Sequence, residues 1–160
     1  MQIVTIGGYG YDQAGFISAL RRAQIDTFVD VRQRRGVRGR QYAFLNSSRL
    51  QGALAEIGIR YLHLKDLAPT QSVRDIQKRI DTETGTKKRD RSRLSPEFVR
   101  AYEAEVLGAF DPAVFEREIG ADAKVVALFC VEGQPEACHR SLVADRLARE
   151  LGVHVEHVRP

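Results

Sequence analysis

Short apolar stretches alternate with amphipathic ones along most of this chain. The apolar stretches are rich in β-branched residues and predict five strands, at residues 2–6, 25–31, 59–64, 124–130 and 153–158. Helical spacing predicts helices that begin after Asp12, at residue 46 or 47, and at Arg140. Strands that alternate with helices pair in parallel through right-handed crossovers. The pattern therefore predicts a three-layer α/β fold, Rossmann-like or flavodoxin-like, with helices on both faces of a mostly parallel sheet. Its most apolar strand, 124–130, should be central.

The alternation breaks between Pro69 and Asp111. Ser95-Pro96 predicts a helix to about Leu107, and Asp111-Pro112 opens a shorter one. Residues 81–94 have few apolar side chains and no period, which predicts a mobile basic insertion at about 70–95 within a helical excursion over about 69–120. We expect residues 1–160 to form a single domain, because a chain of this length can bury its own core.

The bulk composition indicates a globular protein away from membranes. Hydrophobic residues make up 43% of the chain and charged residues 29%, and no apolar run is long enough for a membrane span. The N-terminal MQIVTIGG lacks the pattern of an export signal. Cys130 and Cys138 are therefore expected to be free thiols in a reducing cytoplasm. The oligomeric state is left open by the sequence.

Basic residues form two clusters in a chain of net charge +4. The first cluster contains Arg32, Arg34, Arg35, Arg38 and Arg40, and the second contains Lys87, Lys88, Arg89, Arg91 and Arg93. Each cluster is either a solvated loop or a surface that contacts phosphates. Tyr42 and Phe44 would offer stacking surfaces beside the first cluster. A nucleic-acid-associated protein is therefore one functional hypothesis.

Polar residues also collect where the predicted strands end. All strands of a parallel sheet end at one edge, beyond which ligands bind. The residues that the four strands place there are Gly7, Gly8, Gly10, Asp30, Arg32, His63, Cys130 and Glu132. This set predicts a pocket for an anionic small molecule, a nucleotide or a sugar phosphate. Gly8-Tyr-Gly10 matches a dinucleotide fingerprint only in part, because position 13 is Gln. No cofactor is therefore expected, although the helix N-terminus could hold a phosphate.

Cys130 and Glu132 are the predicted reactive groups. Both side chains project to the same side of the strand. Cys130 would be the nucleophile with Glu132 as the proton-transfer group, or Glu132 alone would be the main catalytic residue. Cys130 could equally be a core residue, although Arg140 and the positive end of the following helix would favour a thiolate.

The neighbouring residues leave alternatives open. Asp30 and Arg32 form either a structural ion pair or an orienting acid and an anion-binding arginine. His139 is either catalytic or a buried hydrogen-bonding residue. Adjacent helical residues diverge by about 100°, so Cys138 and His139 are poor joint metal ligands. Zinc on Cys130, Cys138 and His63 is a minor option, and we predict no metal.

The chain resembles the bacterial family named domain of unknown function 488. The matching segments are Thr5–Gly7, Val29–Arg32, Tyr42–Asn46, Gly58–Leu64, Leu128–Glu132 and Cys138–Ser141. The family often has Gly-His-Ser after its first strand, where this chain has Gly7-Gly8-Tyr9. The resemblance implies an α/β sandwich with a site at Asp30, Arg32, Cys130, Glu132 and residues 138–140, and it implies no reaction.

Three functions are therefore carried forward. The first is an enzyme, a hydrolase or transferase, in which Arg32, Arg140 and the Gly7–Gly10 loop bind the anion. The second is a nucleic-acid-associated protein that binds phosphates through its basic segments at 32–40 and 78–93. The third is a sensor that binds a ligand in the same pocket without turnover.

Overall fold

The computed structural model describes all residues from Met1 to Pro160. The strands are β1 (Gln2–Ile6), β2 (Thr27–Asp30), β3 (Arg60–His63), β4 (Val125–Phe129) and β5 (His154–Val158). The helices are α1 (Gln13–Arg22), α2 (Ser47–Glu56), α3 (Gln71–Thr84), α4 (Pro96–Glu105), α5 (Pro112–Ile119) and α6 (His139–Leu151). The five predicted strands are all present, each within two residues of its predicted ends.

All five strands pair in parallel in the order β3-β2-β4-β1-β5. The predicted three-layer α/β fold is confirmed, and β4 is the central strand. The connections from β1 to β2 and from β2 to β3 run toward one edge of the sheet, whereas those from β3 to β4 and from β4 to β5 run toward the other. Because right-handed crossovers in opposite directions lie on opposite faces, α1 and α2 cover one face and α3–α6 lie over the other. The chain leaves β1 and β4 in opposite directions, which makes their adjacent ends the switch point of the sheet.

A core of 37 buried residues joins both faces of the sheet. Its aromatic centre is Phe16 of α1, whose ring contacts Phe28 of β2 edge-on at 6.2 Å and Phe129 of β4 at 5.7 Å between ring centroids. This packing fixes the ends of β2 and β4 relative to each other. No helix of the structure has both the length and the apolar character required to cross a membrane.

The region 70–95 differs from the sequence-based expectation, because its first half is the 14-residue helix α3. Thr70 caps the helix by accepting a hydrogen bond from Val73 N at 3.3 Å, and Gly85 ends it in the left-handed conformation with φ of 66°. Val73 and Ile76 face the rest of the protein at helical spacing. These few apolar positions are enough because α3 packs one narrow face against α4 and leaves the remainder to solvent.

Candidate functional site

A cleft of about 800 Å³ lies beyond the carboxyl ends of β2 and β4. Its walls are α3, residues 86–94 and the segment that follows β2, and residues 130–132 and 138–139 also line it. The volume is in the usual range for a small-molecule site. Only 7 of its 26 lining residues are hydrophobic, which fits a polar ligand better than an apolar one.

Cys130 and Glu132 lie together at the sheet end of this cleft. The thiol donates a hydrogen bond to Glu132 Oε2 at 3.0 Å, and the other carboxylate oxygen contacts Lys88 Nζ and Arg91 Nη2, each at 3.3 Å. Burial by itself would raise the pKa of Glu132, but Lys88, Cys130, His139 and Arg91 hold that pKa well below its ordinary value. Glu132 is therefore a buried carboxylate whose charge is balanced by two cations.

Cys130 keeps its proton in this arrangement. A hydrogen bond with Cys138, burial and the nearby Glu132 raise the pKa of the Cys130 thiol well above its ordinary value. The positive end of α6, which we expected to favour a thiolate at Cys130, begins only at His139. The pair therefore consists of a thiol donor and a carboxylate acceptor.

Arg91 attaches the second basic cluster to the rest of the domain. Its Nη1 contacts Asp81 Oδ2 at 2.8 Å and its Nη2 donates to Ala137 O at 3.0 Å, in addition to the Glu132 contact. Only 10% of the Arg91 side chain is exposed. The segment that we predicted to be a mobile basic insertion thus forms a wall of the cleft, where the largely covered side chain of Arg91 attaches it to the domain.

The donor atoms of Cys138 and His139 lie on the same side of the chain, which their adjacent positions in the sequence did not suggest. Cys138 has extended backbone angles, φ −141° and ψ 141°, and precedes α6, whereas His139 is its first residue. The 100° divergence between adjacent helical residues therefore does not apply to this pair. Cys138 Sγ lies 3.8 Å from His139 Nδ1, and His139 Nε2 lies 3.0 Å from Val31 O.

Asp30 and Arg32 form a buried ion pair. Arg32 Nε and Nη2 donate to the two carboxylate oxygens of Asp30 at 2.9 and 2.7 Å, and Arg32 Nη1 donates to Leu45 O at 3.0 Å. Tyr61 completes the group with a 2.8 Å hydrogen bond to Asp30. Arg32 lines the cleft, but its donors are occupied within the protein. This geometry fits the ion-pair alternative, and an anion-binding role for Arg32 stays a prediction.

Asp30 lies off the cleft, and so do the four predicted ligand-binding residues other than Arg32: Gly7, Gly8, His63 and Arg140. Arg140 is fully buried and donates to the carbonyls of Glu132 and Gly133, so it holds the loop after β4 instead of facing a ligand. His63 Nε2 lies 2.8 Å from Arg32 O. The ligand-binding roles of these four residues have no support in this geometry.

The glycine loop after β1 also offers no free donors to a phosphate. The N–H groups of Gly8 and Tyr9 both donate to Val131 O, at 3.1 and 2.9 Å. The α1 N-terminus is occupied by Asp12, which accepts from Gly15 N at 2.7 Å and places a negative charge there. A dinucleotide site at this loop is therefore disfavoured.

The two basic clusters meet at the cleft. Arg34 and Arg38 of the first and Lys88 and Arg89 of the second line it. Arg35 points elsewhere, toward the Tyr61 hydroxyl at 3.5 Å, while Arg40 and Lys87 are exposed outside the lining. The predicted stacking surfaces are not available, because Tyr42 and Phe44 are only 6% and 7% exposed.

Arg74 of α3 is a basic cleft residue that was missed from the sequence, whereas Lys78 of the same helix lies in the predicted basic segment 78–93. They are four residues apart and so lie on one helical face. The signal for them was present in Thr70 as a cap, the apolar spacing of Val73 and Ile76, and Gly85 as a stop.

Comparison with known proteins returns one result. The family model described as "Domain of unknown function DUF488" matches residues 13–147. No curated protein and no solved structure shows a significant match to the chain.

Proposed function

Because the chain belongs to the domain of unknown function 488 family, whose description carries no activity, we propose from its geometry that it binds an anionic small molecule in the cleft. The ligand class is a nucleotide or a sugar phosphate. The protein acts on it as a hydrolase or transferase, with Glu132 as the group that moves a proton.

The observation that carries this proposal is the concentration of unpaired positive charge in the cleft. Eight of the 25 basic residues line it, against three of the 21 acidic ones. The charge of the remaining surface is therefore close to balanced, and the basic character of the protein belongs to the cleft. Five of the lining cations have no carboxylate within 4 Å: Arg34, Arg38, Arg74, Lys78 and Arg89.

Positive charge in a concave surface raises the local concentration of anions and is neutralised when a phosphate binds. Arg89 is held near this position by the rings of Tyr9 and Tyr42, whose centroids lie 5.6 and 5.7 Å from its guanidinium carbon. An arginine fixed in this way can bind a phosphate in a bidentate geometry with a smaller loss of side-chain entropy.

Of the three carboxylates that line the cleft, Glu132 is the one beside Cys130 at its sheet end. It accepts a proton from a water molecule or an acceptor hydroxyl, whose oxygen then forms the bond to the substrate as the leaving group departs. Cys130 orients the carboxylate through its thiol hydrogen bond. His139 and Asp30 act as positioning residues, because both are held by partners within the protein.

Calorimetric titration with inorganic phosphate, a nucleoside monophosphate and a sugar phosphate tests the binding step. Arg34→Gln and Arg89→Gln should each weaken binding about tenfold and reduce its salt dependence, since each removes one ligand-facing charge. Arg149→Gln is the matched control, because this arginine is exposed on α6, has no ion-pair partner and does not line the cleft. Equal losses in all three variants would contradict a localised site.

Glu132→Gln separates an enzyme from a ligand sensor. The substitution releases Lys88 and Arg91 from their carboxylate, so phosphate binding should be retained or strengthened. Turnover of a substrate that the wild type hydrolyses or transfers should fall by about 10²-fold or more. Binding in both proteins without turnover in either would favour the sensor.

A nucleic-acid partner is the second candidate, because Arg40 and Lys87 are exposed beyond the lining and would add charge for a longer polyanion. Gel-shift titration of single- and double-stranded DNA and RNA at low salt tests it. No shift would remove this candidate, and a shift that weakens steeply with salt would support it.

A further inference from the structure

Two thiols and an imidazole converge at the inner end of the cleft. The ligand atoms of Cys130, Cys138 and His139 all lie within 4.8 Å of one another, and the three residues are buried. All three also line the cleft. From this convergence we propose that Cys130, Cys138 and His139 bind a zinc ion, with its fourth coordination position open to the cleft.

The distances suit a zinc site. Zinc bonds of about 2.3 Å to sulfur and about 2.1 Å to nitrogen, at a tetrahedral angle, place thiolate and imidazole donors about 3.6 Å apart. The Cys138 Sγ to His139 Nδ1 separation is 3.8 Å. Since no donor pair exceeds 4.8 Å, movements of about 1 Å or less in side-chain positions would complete the triad.

The imidazole already has the tautomer that a metal requires. His139 Nε2 lies 3.0 Å from the Val31 carbonyl, which can only accept a hydrogen bond, so the hydrogen is on Nε2. In the neutral imidazole with this tautomer, Nδ1 carries the lone pair, on the side of Cys138. A backbone carbonyl that orients the second nitrogen is the usual support of a metal-binding histidine.

The charge balance and the donor types favour zinc. Two thiolates neutralise a divalent ion, so Glu132 keeps its partners Lys88 and Arg91. Cys130 loses its thiol proton on metal binding, and the cleft that this residue lines gives the proton a route to solvent. Two thiolates and one imidazole form a soft donor set that suits zinc better than magnesium or calcium, and three protein ligands with an open position are typical of reactive zinc sites.

This inference is independent of the proposed anion ligand, because the metal alone is the probe. Bound metal is removed from the reduced protein with a chelator, and the protein is then titrated with Co²⁺, which substitutes for zinc and absorbs visible light. We expect a stoichiometric rise of a sulfur-to-cobalt charge-transfer band with intense visible bands of tetrahedral cobalt, abolished by one equivalent of zinc. Absence of these bands in the reduced, folded wild type would overturn the proposal, whatever the anion titrations show.

Variants identify the ligands. Loss of a residue that only supports a metal ligand lowers metal affinity by about 10–100-fold. Cys138→Ser and His139→Gln each remove a ligand, so each should lower metal affinity by more than this. His63→Gln is the matched control, since His63 also contacts a backbone carbonyl through Nε2 but lies outside the triad. Circular dichroism checks that each variant is folded. A cobalt spectrum unchanged in Cys138→Ser would overturn the assignment, as would a Cys130–Cys138 disulfide that persists in the reduced preparation.

Discussion

Gly7 follows β1 and lies against the backbone of the loop that follows β4, and its replacement by alanine should be strongly destabilising. A Cβ at this position would lie 2.0 Å from Glu132 O, whereas ordinary contact begins at 3.4 Å. The obstacle is backbone, which cannot rotate away as a side chain would. Gly7 does not have a left-handed φ, so the whole effect comes from the clash and not from conformational strain.

The magnitude follows from what must move. The two segments would separate by about 1.4 Å, the difference between 3.4 and 2.0 Å. That separation breaks the hydrogen bonds from Gly8 N and Tyr9 N to Val131 O and displaces the Glu132 carbonyl from Arg140. Overpacking costs about 1–3 kcal/mol and each lost hydrogen bond about 1 kcal/mol, so we expect a loss of about 3 kcal/mol or more.

Denaturant unfolding followed by circular dichroism measures this loss. Gly52→Ala is the matched control: Gly52 lies inside α2, its added Cβ would meet nothing within 4 Å, and the change should stabilise the protein by about 0.5–1 kcal/mol. The same chemical change should therefore have opposite signs at the two positions. A Gly7→Ala protein that loses less than about 1 kcal/mol would refute the close approach of β1 and β4.

Two further predictions concern buried and bridging acids. Asp30→Ala should lower the free energy of unfolding by about 3–5 kcal/mol, measured by the same denaturant titration, because it leaves the guanidinium of Arg32 buried without its partner; a loss below about 1 kcal/mol would argue against the ion pair. Burial would raise the pKa of Asp26, but hydrogen bonds from Thr27 and the first N–H groups of β4 lower it overall. The stabilisation from Asp26 should therefore be present above about pH 4 and be lost as the pH falls through its lowered pKa. Unfolding at a series of pH values, with Asp26→Asn as the comparison, should show a difference that shrinks in acid, and a difference that grows there would contradict the shift.

The sheet could be predicted from the sequence because its interior strands are largely apolar runs with abrupt ends. β4 is buried on both faces and reads as a continuous apolar run, which marked it as central. The edge strand β5 has less cover, since only its Val155 and Val158 are packed against the core, yet its valines still located it to within one residue. Helix starts were predictable where a polar cap preceded them, as at Asp12 and Ser95.

Helix α3 could not be recognised from apolar content alone. Only Val73 and Gln77 of its 14 residues are fully buried, and Gln77 is polar. The glutamine is buried because its side-chain oxygen accepts from Ser95 N at 2.9 Å and its nitrogen donates to Asp81 at 2.7 Å. Such pairing satisfies a buried polar side chain only in the folded state. The cap, apolar spacing and glycine stop could therefore indicate the helix itself, but not that it forms a wall of the cleft.

The strand-end rule placed Cys130, Glu132 and Arg32 correctly beside one cleft, but it could not tell occupied groups from free ones. Arg32 and Arg140 looked like anion-binding residues by position, but Arg32 donates through all three guanidinium nitrogens, and Arg140 through Nη1 and Nη2, to partners within the protein. The unpaired cations come instead from exposed segments, such as Arg34 and Arg89. Which donors remain free depends on contacts between residues far apart in the chain, and single-sequence patterns do not contain these.

The relation between Cys138 and His139 shows how one backbone residue can change a chemical conclusion. If both residues were part of α6, their side chains would diverge by about 100° and would be poor joint ligands for one metal. A short 3-10 turn over Pro135–Ala137 ends before Cys138, and Cys138 itself has extended angles and directly precedes α6. Its sulfur then lies on the same side as His139 Nδ1. The position of one helix boundary, which sequence patterns fix least well, therefore decides whether these neighbours can act as one metal site.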